Sequence, residues 1–171
     1  SDNLMKFKLS LKNHLKFFST PYIYFGYDRN LNNKLDSRLL QMKLGLSLLH
    51  GHQFKYNYTY NPFCPACKVF VESVEHYFLE CLELTLLRTT LVQRIDGFLL
   101  DYYATIGKPN TVFEYLPVTD KMSIIFSGFP LQMDLICISP TAFQVIFDLN
   151  IQLHKAVTNY IFDTRRFVPS P

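Results

Sequence analysis

The chain has 171 residues, 49% of them hydrophobic, with 16 Phe, 11 Tyr and no Trp, and a formal net charge of +3. That length is enough to bury a real core, and the composition lies far from the polar, highly charged signature of disorder. The mild positive charge admits a nucleic-acid partner without demanding one, and no apolar run of about eighteen residues is present to span a bilayer as a helix.

In chain order, Leu4, Phe7, Leu11, Leu15 and Phe18 recur at helical spacing with lysines between them. They predict a first amphipathic helix, stopped at Ser19-Thr20-Pro21. Tyr22 to Asn30 is aromatic and β-prone, with Gly26 as turn chemistry, and reads as a short strand or ordered loop. From Asp36, an N-cap candidate, a second helix is expected to run to about Gly51, with Leu39, Met42, Leu46 and Leu49 on one stripe. "QFKYNYTYNPF" (53–63) alternates aromatic and polar residues and reads as a strand or extended arm.

Ser73 is placed to cap a helix that starts at Val74 and continues towards Asp101. "ATIGKPN" (104–110) reads as a loop, and Met122 to Pro140 is apolar but punctuated by Gly128 and Pro130. A last helix over 141–163 carries Phe143, Ile146, Phe147, Ile151, Val157 and Ile161 on its apolar side. The expected architecture is therefore mainly α with minor β: a single domain over 1–171, containing a small metal-binding segment at 61–82.

That segment is "FCPACKVFVESVEHYFLEC", with the spacing Cys64-x2-Cys67-x8-His76-x4-Cys81. Three thiolates and one imidazole form a common closed set for tetrahedral Zn2+, and the x2 step lets two sulfurs of one tight turn face one ion. The x4 step is harder, because five residues of regular helix turn the chain through about 500° and leave His76 and Cys81 some 140° apart, roughly. An irregularity is expected between them. The competing reading is buried cysteines in an apolar stretch, and a redox CxxC lacks the surrounding βαβ pattern. Three of the four cysteines crowd together while Cys137 stands alone, and Ser1 to Lys6 show no basic start to a leader sequence. Both features point to an intracellular, reducing compartment.

Lys34, Arg38 and Lys43 on the second helix and Arg88 and Arg94 on the third are candidate phosphate contacts. Tyr56, Tyr58 and Tyr60 lie between them in sequence and are candidates for base stacking. The alternative is solvated helix faces and a strand with one aromatic side buried. Arg165 and Arg166 read as surface charge, and His50 and His52 as a cationic helix end.

"CPACKVFVESVEHYFLEC" resembles the Cys-Cys-His-Cys segment in the C-terminal part of non-LTR retrotransposon reverse transcriptases, where CPxC is followed by "E-S/T-x-E-H" and a short "L-x-C". "YFGYDRNLN", "SRLLQMKLGLSLLHGHQF", "LLRTTLVQRI" and "NYIFDTRRF" are similar to further stretches of that region, so the resemblance covers about 22–167, with 104–140 unmatched. It departs at Leu82, where the family usually carries Pro, and at Leu49, where it often carries Asn before the loop histidine. The resemblance implies a zinc-bearing portion that binds RNA or DNA, or a remnant repurposed as a structural subunit of a larger ribonucleoprotein with protein partners docked on 122–140. Paired palm-type aspartates, G-x-S-x-G, H-E-x-x-H and Gly-rich phosphate loops are all missing, so no enzyme is expected.

Overall fold

A computed structural model describes residues 33–131 and 139–167. The first expected helix, the aromatic stretch at 22–30 and Cys137 lie outside the described residues. The fold is mainly α. Its helices are α1 (Asn33–Lys43), α2 (His50–Tyr56), α3 (Thr85–Ile106), α4 (Val118–Ser127) and α5 (Pro140–Asp163). Among the described residues, β structure is confined to one antiparallel bridge between Phe63 and Val71.

α3 and α5 share the most extensive helix contact, with α1 and α4 packed against α5. Leu91, Ile95, Leu99 and Tyr102 recur at helical spacing along α3 and are all buried. On α5 the buried stripe is Ala142, Ile146, Leu149, Leu153, Ala156, Val157, Tyr160 and Ile161. That stripe is rotated from the expected one, so Phe143, Phe147 and Ile151 are only partly buried. The helix is amphipathic through small as well as large residues, since Ala142 and Ala156 are also buried. Ser139 caps α5 by accepting the Ala142 amide at 3.3 Å, with Pro140 at its first turn.

α1 ends sooner than expected. Gly45 has φ of 72°, and the amides of Gly45 and Leu46 return to the carbonyls of Met42 and Gln41 at 3.1 and 2.9 Å. That is a Schellman stop, and it splits the expected second helix in two. Leu39, Met42 and Leu49 are buried as expected, but Leu46 falls in the break and is exposed. Asp36 is not a cap; it sits within α1 and its carboxylate contacts His154 Nε2, tying α1 to α5.

The expected strand at 53–63 is likewise replaced: its first residues finish α2, and turns follow. Of the apolar segment 122–140, residues 132–138 lie outside the described residues; in the part before them, Met122, Ile124, Ile125, Phe126 and Phe129 are all buried in the core. Asn150 of α5 holds the Gly128-Phe129 turn inside by bonding both Phe129 N (2.7 Å) and Phe129 O (3.1 Å).

Candidate metal centre

Ser73 begins the decisive turn. Its Oγ accepts the His76 amide at 3.0 Å, and the helix starts at Val74. From His76 to Glu80 the chain winds as a π-helix, and the Cys81 amide closes it on the His76 carbonyl at 2.8 Å. An i→i+5 bond brings the sixth residue back over the first, so His76 and Cys81 share a side. This is the irregularity that the x4 spacing requires, and it arises with Leu82 rather than a proline after Cys81. The widened turn also drives Tyr77 and Phe78 into the core. Phe78 stacks on Tyr160 at 5.5 Å, and Tyr160 Oη donates to the Tyr77 carbonyl at 2.6 Å.

The other half of the centre is the hairpin-like knuckle at 63–71. Cys64 N donates to Phe70 O at 2.7 Å and Lys68 N to Cys64 O at 2.8 Å, with Lys68 at the left-handed φ of 61°. The turn directs the Val69 and Phe70 amides at the Cys67 sulfur, which holds that thiol below the usual range. Burial pushes Cys64 up to about 11, against the pull of the Cys67 and Ala66 amides. Burial also lowers His76, reinforced by the Arg88 charge and opposed by Glu80 and Glu72. A neutral imidazole is the form that ligates a metal.

The four ligand atoms of Cys64, Cys67, His76 and Cys81 lie within 4.8 Å of one another. Cys64 Sγ is 3.8 Å from Cys81 Sγ, and Cys67 Sγ is 3.4 Å from His76 Nε2. Metal–ligand distances of about 2.3 Å to sulfur and 2.05 Å to nitrogen give tetrahedral edges of about 3.8 and 3.6 Å. Those two separations are close to the tetrahedral edges, and the two sulfurs at 3.8 Å are far from the roughly 2.05 Å of an S–S bond. These residues could hold a metal ion.

No family model matches this chain, and neither a curated protein nor a solved structure does.

One carboxylate that the sequence did not single out as a site residue locks the centre to the fold. Glu72 accepts Arg166 Nε and Nη2 at 2.7 and 2.9 Å and the His50 amide at 2.6 Å. Arg166 is thus not surface charge but a bidentate partner held in its charged form by Glu72. Tyr77 Oη bonds Thr164 Oγ1 at 2.7 Å beside it. His52 is buried with Nδ1 at 2.7 Å from Ser47 Oγ, and His50 Nδ1 lies 2.7 Å from Phe63 O, so both organise the α2 turn.

The candidate nucleic-acid residues divide. Lys43 is buried, donating to Phe126 O and Ser127 Oγ at 3.3 and 3.2 Å, so it cannot reach a phosphate. Arg88 is partly buried behind the centre, near enough for its charge to act on His76 and Tyr160. Arg94, six residues on, is exposed on a different side of α3. Lys34 is exposed, and Arg38, one turn on, bonds Gln41 Oε1 at 3.1 Å. Tyr56, Tyr58 and Tyr60 are all exposed, Tyr58 by 79%, so no face of that segment is buried.

Proposed function

We propose that the chain is a zinc-organised, non-catalytic module that binds RNA or DNA, related in kind to the C-terminal region of non-LTR reverse transcriptases. The convergence of Cys64, Cys67, His76 and Cys81 carries this reading. Three thiolates and an imidazole suit Zn2+ over harder cations, and four protein ligands leave no position for substrate. Such an ion holds the knuckle to the π-helical turn. The stretches that carry the resemblance also meet in space: Glu72 with Arg166, Tyr77 with Thr164.

The binding surface in this reading is the tyrosine segment. Lys55 to Asn61 is exposed throughout, with Tyr58 edge-on to Phe54 and Tyr60 to His50. Aromatic faces stack on unpaired bases with little sequence preference, and the exposed Lys55 within the segment would add a phosphate contact. Metal analysis of purified protein, followed by filter binding of single-stranded RNA and DNA at two salt concentrations, tests both halves. About one zinc per chain and retention that falls steeply with salt are expected. Protein that retains neither nucleic acid at low salt ends the binding half.

A second reading is a structural subunit of a larger assembly. Since 122–131 is core, its contact would be the knuckle tip, where Val69, Phe70 and Val71 are exposed. Retention of zinc without any nucleic-acid binding favours it.

A further inference from the structure

We propose that Glu80 is the outer partner of the metal-binding imidazole: its carboxylate accepts a hydrogen bond from the His76 Nδ1–H and so fixes Nε2 as the ligand atom. The inference rests on the metal reading of the Cys64–Cys67–His76–Cys81 centre. An imidazole that gives its Nε2 lone pair to an ion carries its proton on Nδ1. Here Nδ1 is buried and has no hydrogen-bond partner. Metal-bound histidines ordinarily donate that second N–H to a carboxylate, carbonyl or water.

Three charged groups act on this ring: Glu80, Glu72 and Arg88. Arg88 is a cation and accepts nothing. Glu72 is turned to Arg166 and the His50 amide, which occupy both of its oxygens. Ser73 Oγ already receives the His76 backbone amide. Glu80 remains, with Oε2 at 3.9 Å from Nδ1. Its side chain is 63% exposed, so it rotates without disturbing the core. Closing to hydrogen-bond distance takes a movement of about 1 Å. The π-helical turn therefore does two jobs: it sets His76 and Cys81 on one side, and it leaves Glu80 alongside the ring.

The test uses the full chain with Zn2+ and Co2+ as probes. In zinc-loaded wild type, long-range 1H–15N spectra should show His76 protonated at Nδ1. Glu80→Ala should weaken zinc binding, measured against a competing chelator, by about tenfold, the low end of the usual range because this carboxylate is solvated. Glu80→Gln keeps an acceptor oxygen and should stay within about threefold of wild type. Cobalt-loaded Glu80→Ala should reach wild-type absorption intensity at saturation but with shifted bands, which separates lost orientation from misfolding. Zinc affinity in Glu80→Ala within twofold of wild type, or an imidazole protonated at Nε2, overturns this inference alone. A wild-type chain that binds no zinc overturns the metal reading and this inference together.

Discussion

Glu72 and Arg166, 94 residues apart, form a two-pronged ion pair in which the carboxylate is only 1% exposed. The same carboxylate accepts the His50 amide at the start of α2, so three chain segments meet on one charge. Each end of the pair depends on the other. Removing one member of a buried pair strands the other charge in a low-dielectric site, at about 3–5 kcal/mol. Arg166→Met is therefore expected to lower the urea-unfolding free energy of zinc-saturated protein by about that amount. The double variant Glu72→Gln with Arg166→Met should recover part of it. A loss under about 1 kcal/mol in the single variant would mean that the pair is not the clamp described.

Metal removal should act locally first. The 63–71 knuckle is held by few backbone bonds, whereas the π-helical turn also has Phe78 and Tyr77 in the core. Stripping zinc with a strong chelator should abolish amide protection over 63–71 while α3 and α5 keep theirs. If the centre holds zinc, a concentration about a thousandfold above Kd would contribute about 4 kcal/mol of stability, and Cys81→Ser should forfeit most of that. Hydrogen exchange that is unchanged by chelation would count against a structural ion.

Gly51 of α2 packs directly on the backbone of Glu72. A Cβ there would lie 2.7 Å from Glu72 O, the same carbonyl that accepts the Gly51 amide at 3.1 Å. The obstacle is backbone, so the cost is not relieved by moving a side chain. Gly51→Ala should destabilise by about 1–3 kcal/mol and weaken zinc binding by displacing Glu72. Gly97, whose added Cβ meets nothing within 4 Å, supplies the control: Gly97→Ala in the middle of α3 should stabilise by about 0.5–1 kcal/mol. Equal effects at both positions would contradict the packing described.

The mainly helical class and the convergence of Cys64, Cys67, His76 and Cys81 were legible because each follows from short-range rules: apolar periodicity and ligand spacing. The demand for an irregular turn after His76 came from the same arithmetic, and Ser73 as a cap from its chemistry. The Gly45 stop was within reach too, since a glycine inside an apolar helical run is a standing C-cap candidate; the continuing leucines to Leu49 masked it. Tyr56 to Tyr60 defeated the period-2 reading because alternation predicts a strand only where a partner strand exists to bury one side. The burial of Lys43 and Arg166 was out of reach. Both depend on contacts across more than 80 residues, with Ser127 and Glu72, and a lone basic residue carries no local sign of such a partner.

Lys43 makes a pH prediction with a definite sign. Its ammonium is buried against the C-terminal end of α4, donating to Phe126 O and Ser127 Oγ, and burial lowers its pKa to about 8 from 10.5. Below pH 8 the amine is charged in both the folded and the unfolded chain, and the full desolvation penalty is present. Between pH 8 and 10.5 the folded chain sheds this proton while the unfolded chain keeps it, so stability rises with pH across that window. Thiol and metal terms titrate in the same range, but they cancel in the difference between wild type and Lys43→Met. That difference, from urea unfolding at fixed zinc, should shift in favour of wild type as pH increases from 8 to 10.5. At neutral pH Lys43→Met loses the bonds to Phe126 O, a carbonyl at the end of α4, and to Ser127 Oγ, but also sheds the buried charge, and the two effects should nearly offset. A wild-type-minus-variant difference that stays flat across the window would mean that the amine is solvated in the folded chain.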